Sequence, residues 1–335
     1  MKPVGEKNVS RIFPSGKRAR VASITGRASS NSPKEGTWNQ IMSFSPLRVA
    51  SILGSRPLRP WKNSFTFWVF METKIRHILE FSVVFSIFVF CMKVNAIIQA
   101  RCGSSRFPNK VFALIDGKPL LWHVVNRLKY ATKIDDIIVA TTVSEKDDKI
   151  EQWCKENDVH CFRGSEENVL NRYYSASRAF PSDYVVRITA DDPFKEPEVI
   201  DAVITKLVEE GYDHVTNNLP PSFPEGLDCE AFRKEALDRS EKEAETVFER
   251  EHVTQYIYHH PEIFKIGNVS NGENLSYLRW TIDKDVDYEM VKAVYAHRDP
   301  ASKGILLMAE ILEILQAHPE IEKINSEVER SAMYK

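Results

Sequence analysis

From Met92 onward, short apolar segments alternate with amphipathic ones, and this alternation constrains the fold more than any other feature of the sequence. Segments 94–100 (VNAIIQA) and 135–142 (DDIIVATT) have the length and β-branched content of buried strands. Between them, 118–131 (KPLLWHVVNRLKYA) carries apolar residues at helical spacing. Strands that alternate with such helices indicate βαβ units. The pattern therefore predicts an α/β domain with a mainly parallel sheet covered by helices.

The same pattern extends through the rest of the chain, with less regularity in its second half. It predicts helices at 147–158, 167–180 and 196–211 and strands at 159–164, 183–193 and 213–218. Beyond these it predicts a Pro-rich loop at 218–226, a strand followed by a helix within 227–244, a helix at 248–260, a strand at 277–283 (YLRWTID), and helices at 285–298 and 304–320.

Residues 1–91 have a different character from the rest of the chain. They contain 14 Lys+Arg against 4 Asp+Glu, a charge of +10, and since the whole chain carries −2, the remainder carries −12. Residues 1–70 are rich in Ser, Arg and Pro without any sustained period, which predicts disorder. The apolar segment 81–90 (FSVVFSIFVF) is shorter than the roughly 20 residues of a membrane span.

Three interpretations of this leader stay open. It is an extension outside the functional protein, whose folded domain then occupies 92–335, or an organellar transit peptide, or a membrane anchor. Met92 directly precedes the first predicted strand, which favours the first interpretation. On that interpretation no membrane partner is expected.

Charge and cysteine usage restrict the function of residues 92–335. An acidic region argues against a nucleic-acid partner, because affinity for the phosphate backbone needs a broad basic face. The five cysteines form no CxxC pair. A scattered, odd set of cysteines is typical of a reducing compartment, so we expect a cytoplasmic protein without a structural zinc site.

The segment 101–110 (RCGSSRFPNK), called the cationic loop here, directly follows the first predicted strand. In open α/β sheets, ligands bind at the carboxyl ends of the strands. The loop combines three cations with a turn of small residues: Arg101, Arg106 and Lys110 around Gly103, Ser104 and Ser105. The turn's N–H groups can converge on phosphate oxygens, arginines bind them bidentately, and lysine adds a point charge. This set suits a triphosphate; the alternative is a solvated basic loop.

Two later segments end predicted strands with acids. ITADDP supplies Asp191 and Asp192, and WTIDKDVD supplies Asp283, Asp285 and Asp287. Two carboxylates from separate strands can hold Mg²⁺ on a nucleoside triphosphate. The alternative is that these acids cap helices, and Asp285 is the strongest candidate for a cap. Combined with the cationic loop, Asp191 and Asp283 predict a metal–triphosphate site.

Other residues are candidates for neighbouring parts of the same site. Arg163 follows a short predicted strand, and we expect it to border the base or ribose pocket. Asp228 and Glu230 alternate along a strand and are candidates for lining an acceptor site. No Ser-His-Asp or Cys-His arrangement is recognisable, so a covalent intermediate has no clear nucleophile.

Seven segments of the chain together resemble the cytidylyltransferase family. In order they are QARCGSSRFPNK, DGKPLLWHVVNRL, IIVATT, FRGSEENVLNRYY, VVRITADDPF, REHVTQYIY and LRWTIDKDVDYE. The resemblance is strongest to the branch known as spore coat polysaccharide biosynthesis protein F, related to the CMP-sialate and CMP-Kdo synthetases. It covers residues 93–300 and none of 1–91.

The resemblance implies a three-layer α/β/α nucleotide-diphospho-sugar transferase fold, Rossmann-like with a mainly parallel sheet. It implies transfer of CMP from CTP to a sugar with release of pyrophosphate, for surface or spore-coat polysaccharide biosynthesis. The implied triphosphate ligands are Arg101, Ser104, Ser105, Arg106 and Lys110, the implied Mg²⁺ ligands are Asp191 and Asp283, and Lys110, Arg101 and Asp191 are the implied catalytic residues. The chain departs from the family at Cys102, Phe107 and Asn109, where Met, Leu and Gly are usual.

Two other functions stay open, and so does a homodimer. A metal-dependent glycosyltransferase on the same fold would use a finished nucleotide-sugar and would favour a DxD pair, where ITADDP has DD. A catalytically inactive nucleotide-binding subunit would not need the three cations and two strand-end acids that this chain retains.

Overall fold

The computed structural model of the chain describes residues 92–104, 106–299 and 304–329. The leader 1–91, with its apolar segment 81–90, lies outside these residues, and so does Ser105. The expectations for the leader, for Ser105 and for a domain boundary at Met92 therefore stay predictions. No helix within the described ranges is long and apolar enough to cross a membrane.

A seven-stranded sheet forms the centre of the fold. The described residues form nine strands, seven of which belong to this sheet. In chain order the nine are β1 (Val94–Gln99), β2 (Leu114–Ile115), β3 (Lys118–Pro119), β4 (Asp136–Thr142), β5 (His160–Gly164), β6 (Tyr184–Thr189), β7 (His214–Thr216), β8 (Glu230–Arg233) and β9 (Ile266–Asn268). The sheet order is β5-β4-β1-β6-β8-β7-β9, and β2 and β3 form a separate antiparallel pair. The pairs β5–β4, β4–β1, β1–β6 and β7–β9 are parallel, whereas β8 runs antiparallel to both neighbours.

Helices connect most of these strands. They are α1 (Leu120–Leu128), α2 (Asp148–Glu156), α3 (Val169–Ala179), α4 (Pro197–Glu209), α5 (Lys234–Glu243), α6 (Val247–Glu251), α7 (Gln255–His259), α8 (Asp285–Ala296), α9 (Met308–Ala317) and α10 (Pro319–Glu322). Two 3₁₀ helices cover Lys110–Phe112 and Glu145–Asp147.

The helices cover both faces of the sheet, because alternate residues of the central strand β1 point into two different cores. Ala96 and Ile98 belong to the larger core, together with apolar residues of α1, α2, α4 and α8. Ile97 belongs to the smaller core, with residues of α3, α5 and α7. Successive side chains of a strand point to opposite faces, so one buried strand serves both cores. The predicted three-layer α/β/α fold with a mainly parallel sheet is confirmed.

The predicted strand at 277–283 is wrong. Residues there are extended, but their hydrogen bonds go to loops: Trp280 N–H donates to the Glu225 carbonyl at 2.7 Å, and Ile282 N–H donates to the Asp191 carbonyl at 2.9 Å. One isolated bridge, Glu225 with Arg279, is all the strand pairing that forms. The loop that contains Glu225 is rich in proline, which offers no N–H, so a continuous ladder cannot form beside it.

The predicted helix at 248–260 is divided into α6 and α7. The chain turns between them at Val253, whose φ is 57°, a left-handed conformation that a β-branched residue rarely adopts. This turn brings the Thr254 hydroxyl to 2.9 Å from Glu230, to which it donates a hydrogen bond. The strand β9 was not predicted, since three residues at a sheet edge give too short a pattern.

Candidate active site

A cleft of about 990 Å³ lies where β1 and β6 end. The cationic loop and the end of β6 supply Arg101, Ser104, Arg106, Lys110, Thr189, Asp191 and Asp192 to its wall, and Asp283 completes this part. The rest of the wall includes Arg172, Arg187, Glu225, Asp228, Glu230, Glu251 and His252. Its position is the one expected for ligand sites in open α/β sheets.

Backbone hydrogen bonds around Cys102 shape the cationic loop. The Cys102 carbonyl accepts from Ser104 N–H at 2.9 Å and from Asn109 N–H at 3.1 Å, which closes the loop at its base. Asn109 has a φ of 57°, in the left-handed region that glycine and asparagine tolerate best, so this departure from the family pattern preserves the turn. Gly103 is exposed, and a Cβ built on it would lie 3.6 Å from Glu166 Oε1, at the edge of the cleft.

Lys110 joins the two acids that the sequence singled out. Its Nζ donates to Asp191 Oδ2, to Asp283 Oδ1 and to the Ile282 carbonyl, each at 2.9 Å. The Lys110 side chain is only 12% exposed. The structure therefore brings Lys110, Asp191 and Asp283 together as predicted, although Asp283 arrives on an extended loop and not at the end of a strand.

Opposite charges set the protonation of this cluster. Burial alone would lower the pKa of Lys110, but the Asp191 and Asp283 carboxylates outweigh it and raise that pKa. Burial would also raise the pKa of Asp191, but the ammonium group of Lys110 lowers it to about 2. Lys110 and Asp191 are thus both charged at neutral pH.

The donor set around Lys110 suits a divalent cation. Asp191 Oδ2, Asp283 Oδ1 and the Ile282 carbonyl already surround one positive charge at a common distance. Mg²⁺ is usually bound through one or two carboxylates, with waters and substrate phosphates completing its shell. Asp191 and Asp283 are the residues that could hold such an ion.

Arg279 and Asp287 position Asp283, and sequence reasoning gave neither of them this role. Arg279 Nε lies 2.9 Å from Asp287 Oδ1, and Arg279 Nη2 lies 3.7 Å from Asp283 Oδ2. Asp287 Oδ2 also accepts hydrogen bonds from the N–H groups of Asp283 and Lys284, at 3.0 and 2.9 Å. Asp287 therefore belongs to the framework that places Asp283, whereas Asp285 is exposed at the start of α8.

Asp191 and Asp192 are adjacent in sequence but have different partners. Asp192 Oδ2 lies 2.7 Å from the ammonium group of Lys195, which is 1% exposed, and accepts a hydrogen bond from Thr189. Burial raises the pKa of Asp192, with Lys195 opposing it. The carboxylate of Asp192 is thus used for a buried ion pair, and only Asp191 of the pair contacts Lys110.

The structure does not place Arg163 in the wall of the cleft, and its predicted place beside the base or ribose stays a prediction. Its Nη1 lies 2.7 Å from Asp148 Oδ1 and 2.8 Å from Glu151 Oε2, both on α2. Its Nε and Nη2 donate to the carbonyls of Thr142 and Ser144. Strand residues alternate in direction, so proximity to a strand end did not decide which way this side chain points.

The comparisons with known proteins agree with this geometry. A family model described as cytidylyltransferase matches residues 95–328. The chain belongs to the cytidylyltransferase family. Cytidylyltransferases are nucleotidyltransferases, so the chain is a member of that enzyme class.

Individual known proteins resemble the chain over most of its described length. An uncharacterized protein of Methanocaldococcus jannaschii is 37% identical over 72% of this chain and 98% of its own. The spore coat polysaccharide biosynthesis protein SpsF of Bacillus subtilis is 32% identical over 67% of this chain and 94% of its own. A solved cytidylyltransferase structure from Leptospira borgpetersenii aligns with a TM-score of 0.65 and 30% identity, over 69% of this chain and 97% of that one.

A buried ion pair forms part of the cleft in this family member. Arg187 on β6 and Glu230 on β8 are opposite each other in the antiparallel pair, and Arg187 Nη1 contacts Glu230 Oε2. Burial would raise the pKa of Glu230, but Arg187 and the neighbouring His214 and Tyr258 lower it. Both side chains reach the cleft, as does Asp228, so these residues remain candidates for the acceptor side.

The depressed pKa of Asp191 predicts an acid-sensitive part of the stability. Its carboxyl has an ordinary value of 3.8 and a folded value of about 2, so its contribution is complete above about pH 4 and is lost as the pH falls toward 2. The difference corresponds to about 2 kcal/mol. Urea unfolding of the protein and of Asp191→Asn should show free energies whose difference is largest at pH 6 and clearly smaller at pH 2.5. An equal difference at both pH values would contradict this assignment.

Proposed function

We propose that this protein transfers CMP from CTP to a hydroxyl group of a sugar and releases pyrophosphate. The observation that carries the proposal is the position of Lys110 between Asp191 and Asp283, at the base of a loop that presents Arg101 and Arg106 to the same cleft. Membership of the cytidylyltransferase family supports the chemistry, and the relative SpsF, a spore coat polysaccharide biosynthesis protein, supports a role in polysaccharide biosynthesis. A cytoplasmic location and a homodimer stay predictions.

The cationic loop would bind the triphosphate. Arg101 and Arg106 are exposed at the cleft, with side-chain exposures of 49% and 64%, and can each donate two parallel hydrogen bonds to phosphate oxygens. Ser104 lines the cleft beside them. Arg106 lies 3.3 Å from Asp283 Oδ2, so the loop and the acids face each other closely enough to share one polyphosphate.

The reaction is an in-line displacement at the α-phosphorus of CTP. A sugar hydroxyl oxygen forms a bond to that phosphorus and loses its proton to water, the bond to the bridging oxygen of the β-phosphate breaks, and pyrophosphate leaves with the electron pair. Positioning and charge neutralisation supply most of the catalysis in such transfers. The ammonium group of Lys110 would stabilise the negative charge that builds up on the transferring and departing phosphate groups.

The proposal includes Mg²⁺, held by Asp191 and Asp283. When bound, the ion would neutralise phosphate charge and orient the triphosphate. The sugar would lie along Arg187, Asp228 and Glu230, where carboxylate oxygens can accept hydrogen bonds from its hydroxyl groups.

Incubation with CTP, Mg²⁺ and a panel of acidic and amino sugars, with detection of pyrophosphate, tests the proposal. Pyrophosphate release that depends on one of the sugars supports it. Consumption of a finished nucleotide-sugar without pyrophosphate would identify the glycosyltransferase alternative, which the use of Asp192 by Lys195 disfavours. Tight CTP binding without turnover on any sugar would identify an inactive nucleotide-binding subunit.

Replacement of Arg163 by alanine should leave the apparent KM for CTP within about threefold of the unsubstituted protein. Its partners Asp148 and Glu151 are more than half exposed, and such ion pairs contribute about 1 kcal/mol or less. Initial rates of pyrophosphate release at varied CTP concentration measure this. A tenfold rise in KM, with the fold intact, would restore Arg163 to the nucleotide site.

A further inference from the structure

A buried aspartate fixes the cationic loop from behind. Asp147, which ends the 3₁₀ helix after β4, is 2% exposed and does not line the cleft. Its Oδ1 accepts a hydrogen bond from the Cys102 N–H at 2.7 Å. Its Oδ2 accepts one from the Thr142 hydroxyl, on the last residue of β4. One carboxylate therefore connects the end of β4 to the loop that follows β1.

Hydrogen bonds of the Cys102 backbone fix the conformation of the cationic loop. The carbonyl of Cys102 holds Ser104 and Asn109, as described above, and its N–H is held by Asp147. Its side chain is 5% exposed in the larger core. Arg101 precedes it and Gly103 and Ser104 follow it, so the direction of the Cys102 peptide sets where Arg101 and Ser104 meet the cleft.

We infer that Asp147 is a positioning residue for triphosphate binding, which acts through the Cys102 N–H and touches no substrate itself. The inference rests on the proposed function for the identity of its ligand. Without the carboxylate, the buried Cys102 N–H loses its acceptor, and an unsatisfied buried donor is relieved by movement of the peptide. The arginine and the small-residue turn would then leave the geometry that phosphate oxygens need.

Replacement of Asp147 should change the position of Lys110 less than the positions of the residues at the start of the cationic loop. Its ammonium group is held independently by Asp191, Asp283 and the Ile282 carbonyl. Loss of Asp147 should therefore weaken CTP binding more than it slows the chemical step. A general loss of folded protein would instead lower the number of active molecules without raising the KM for CTP.

The test uses Asp147→Ala, Asp147→Asn and, as a matched control, Asp148→Ala. Asp148 is the next residue, and its side chain is 59% exposed beside Arg163. Calorimetric titration with CTP should show at least tenfold weaker binding for Asp147→Ala, within threefold of the unsubstituted protein for Asp147→Asn, and no more than a twofold change for Asp148→Ala. Asparagine rescues because its amide oxygen can accept from Cys102 N–H while its NH₂ group donates to the Thr142 hydroxyl.

Steady-state rates give a second readout. The apparent KM for CTP of Asp147→Ala should rise tenfold or more, whereas kcat at saturating CTP should fall less than threefold. A folded Asp147→Ala protein that binds CTP within twofold of the unsubstituted one would overturn the inference. Equal weakening in Asp147→Asn would also overturn it, because charge and not hydrogen-bond geometry would then be responsible.

If Asp147→Ala does not fold, Thr142→Val provides the test of the role of Asp147. It removes the hydroxyl that orients Asp147, and CTP binding should weaken three- to tenfold; unchanged binding overturns the inference. The proposed function fails separately, if the unsubstituted protein binds CTP but releases no pyrophosphate with any sugar. Absence of CTP binding by the unsubstituted protein would overturn both.

Discussion

Replacing Lys110 with alanine is expected to lower the rate of pyrophosphate release on the order of 100-fold or more, the scale of removing one preorganised electrostatic contact. The Lys110 ammonium is the one cation of the loop that touches both Asp191 and Asp283. In water such a charge contributes little, but at 12% exposure its field is less screened. It is held by three oxygens before substrate arrives, so it needs little reorganisation during the reaction.

Coupled detection of pyrophosphate under saturating CTP measures the effect. Lys155→Ala, which removes an exposed lysine on α2, is the control and should retain full activity. Lys110→Arg should rescue poorly, because a planar guanidinium cannot replace a compact ammonium among three converging oxygens. Near-normal turnover of Lys110→Ala would remove this residue from the mechanism.

The second large effect is expected for Asp191→Ala, again on the order of 100-fold or more in turnover. The substitution removes a contact of Lys110 and half of the proposed Mg²⁺ ligand pair. Asp191 Oδ2 lies 2.9 Å from the Lys110 ammonium, and its side chain is still 26% exposed, so substrate can reach it. Activity should not recover at high Mg²⁺, because Asp283 alone would not fix the position of the ion.

The neighbouring residue provides the contrast. Asp192→Ala leaves the ammonium of Lys195 buried without its carboxylate, a change that typically costs about 3–5 kcal/mol of stability. Urea unfolding at neutral pH should thus separate the two variants: Asp191→Ala should lose about 2 kcal/mol of stability, less than Asp192→Ala loses. The assignment of Asp191 would fail if its variant kept turnover within threefold while remaining folded.

The fold was readable from the sequence because its strands β1, β4 and β6 are buried on both faces and therefore appear as short continuous apolar segments. The cationic loop was readable because it directly follows the first of them. Asp283 lies beside Lys110 and Asp191, as the sequence predicted. The prediction assumed a strand at 277–283, but this segment forms hydrogen bonds with loops and not with the sheet. The position of Asp283 depends on Arg279 and Asp287, whose contacts span residues that no local pattern relates.

Arg163 and Asp147 both show that a sequence pattern does not place a side chain. Arg163 was predicted to border the base or ribose pocket and lies outside the wall of the cleft, whereas the contact of Asp147 with the cationic loop was not predicted. Arg163 has the charge and the strand-end position expected of a residue beside the base or ribose, yet two acids on α2 bind it. Asp147 has the sequence context of an ordinary acid at the start of a helix, yet it reaches 45 residues back to Cys102. Side-chain direction and long-range partners decide both cases, and neither is encoded in spacing.

The contacts of Lys110 also fix when the site can exist during folding. Asp191 lies 81 residues further along the chain and Asp283 lies 173, so every bond of the cluster closes a long loop. Asn325 extends this further, because its amide donates to the Arg279 carbonyl and to Asp287 at 3.0 and 2.9 Å, behind Asp283. The frame around Asp283 is therefore complete only when Asn325 packs behind it, however early Lys110 and Asp191 meet.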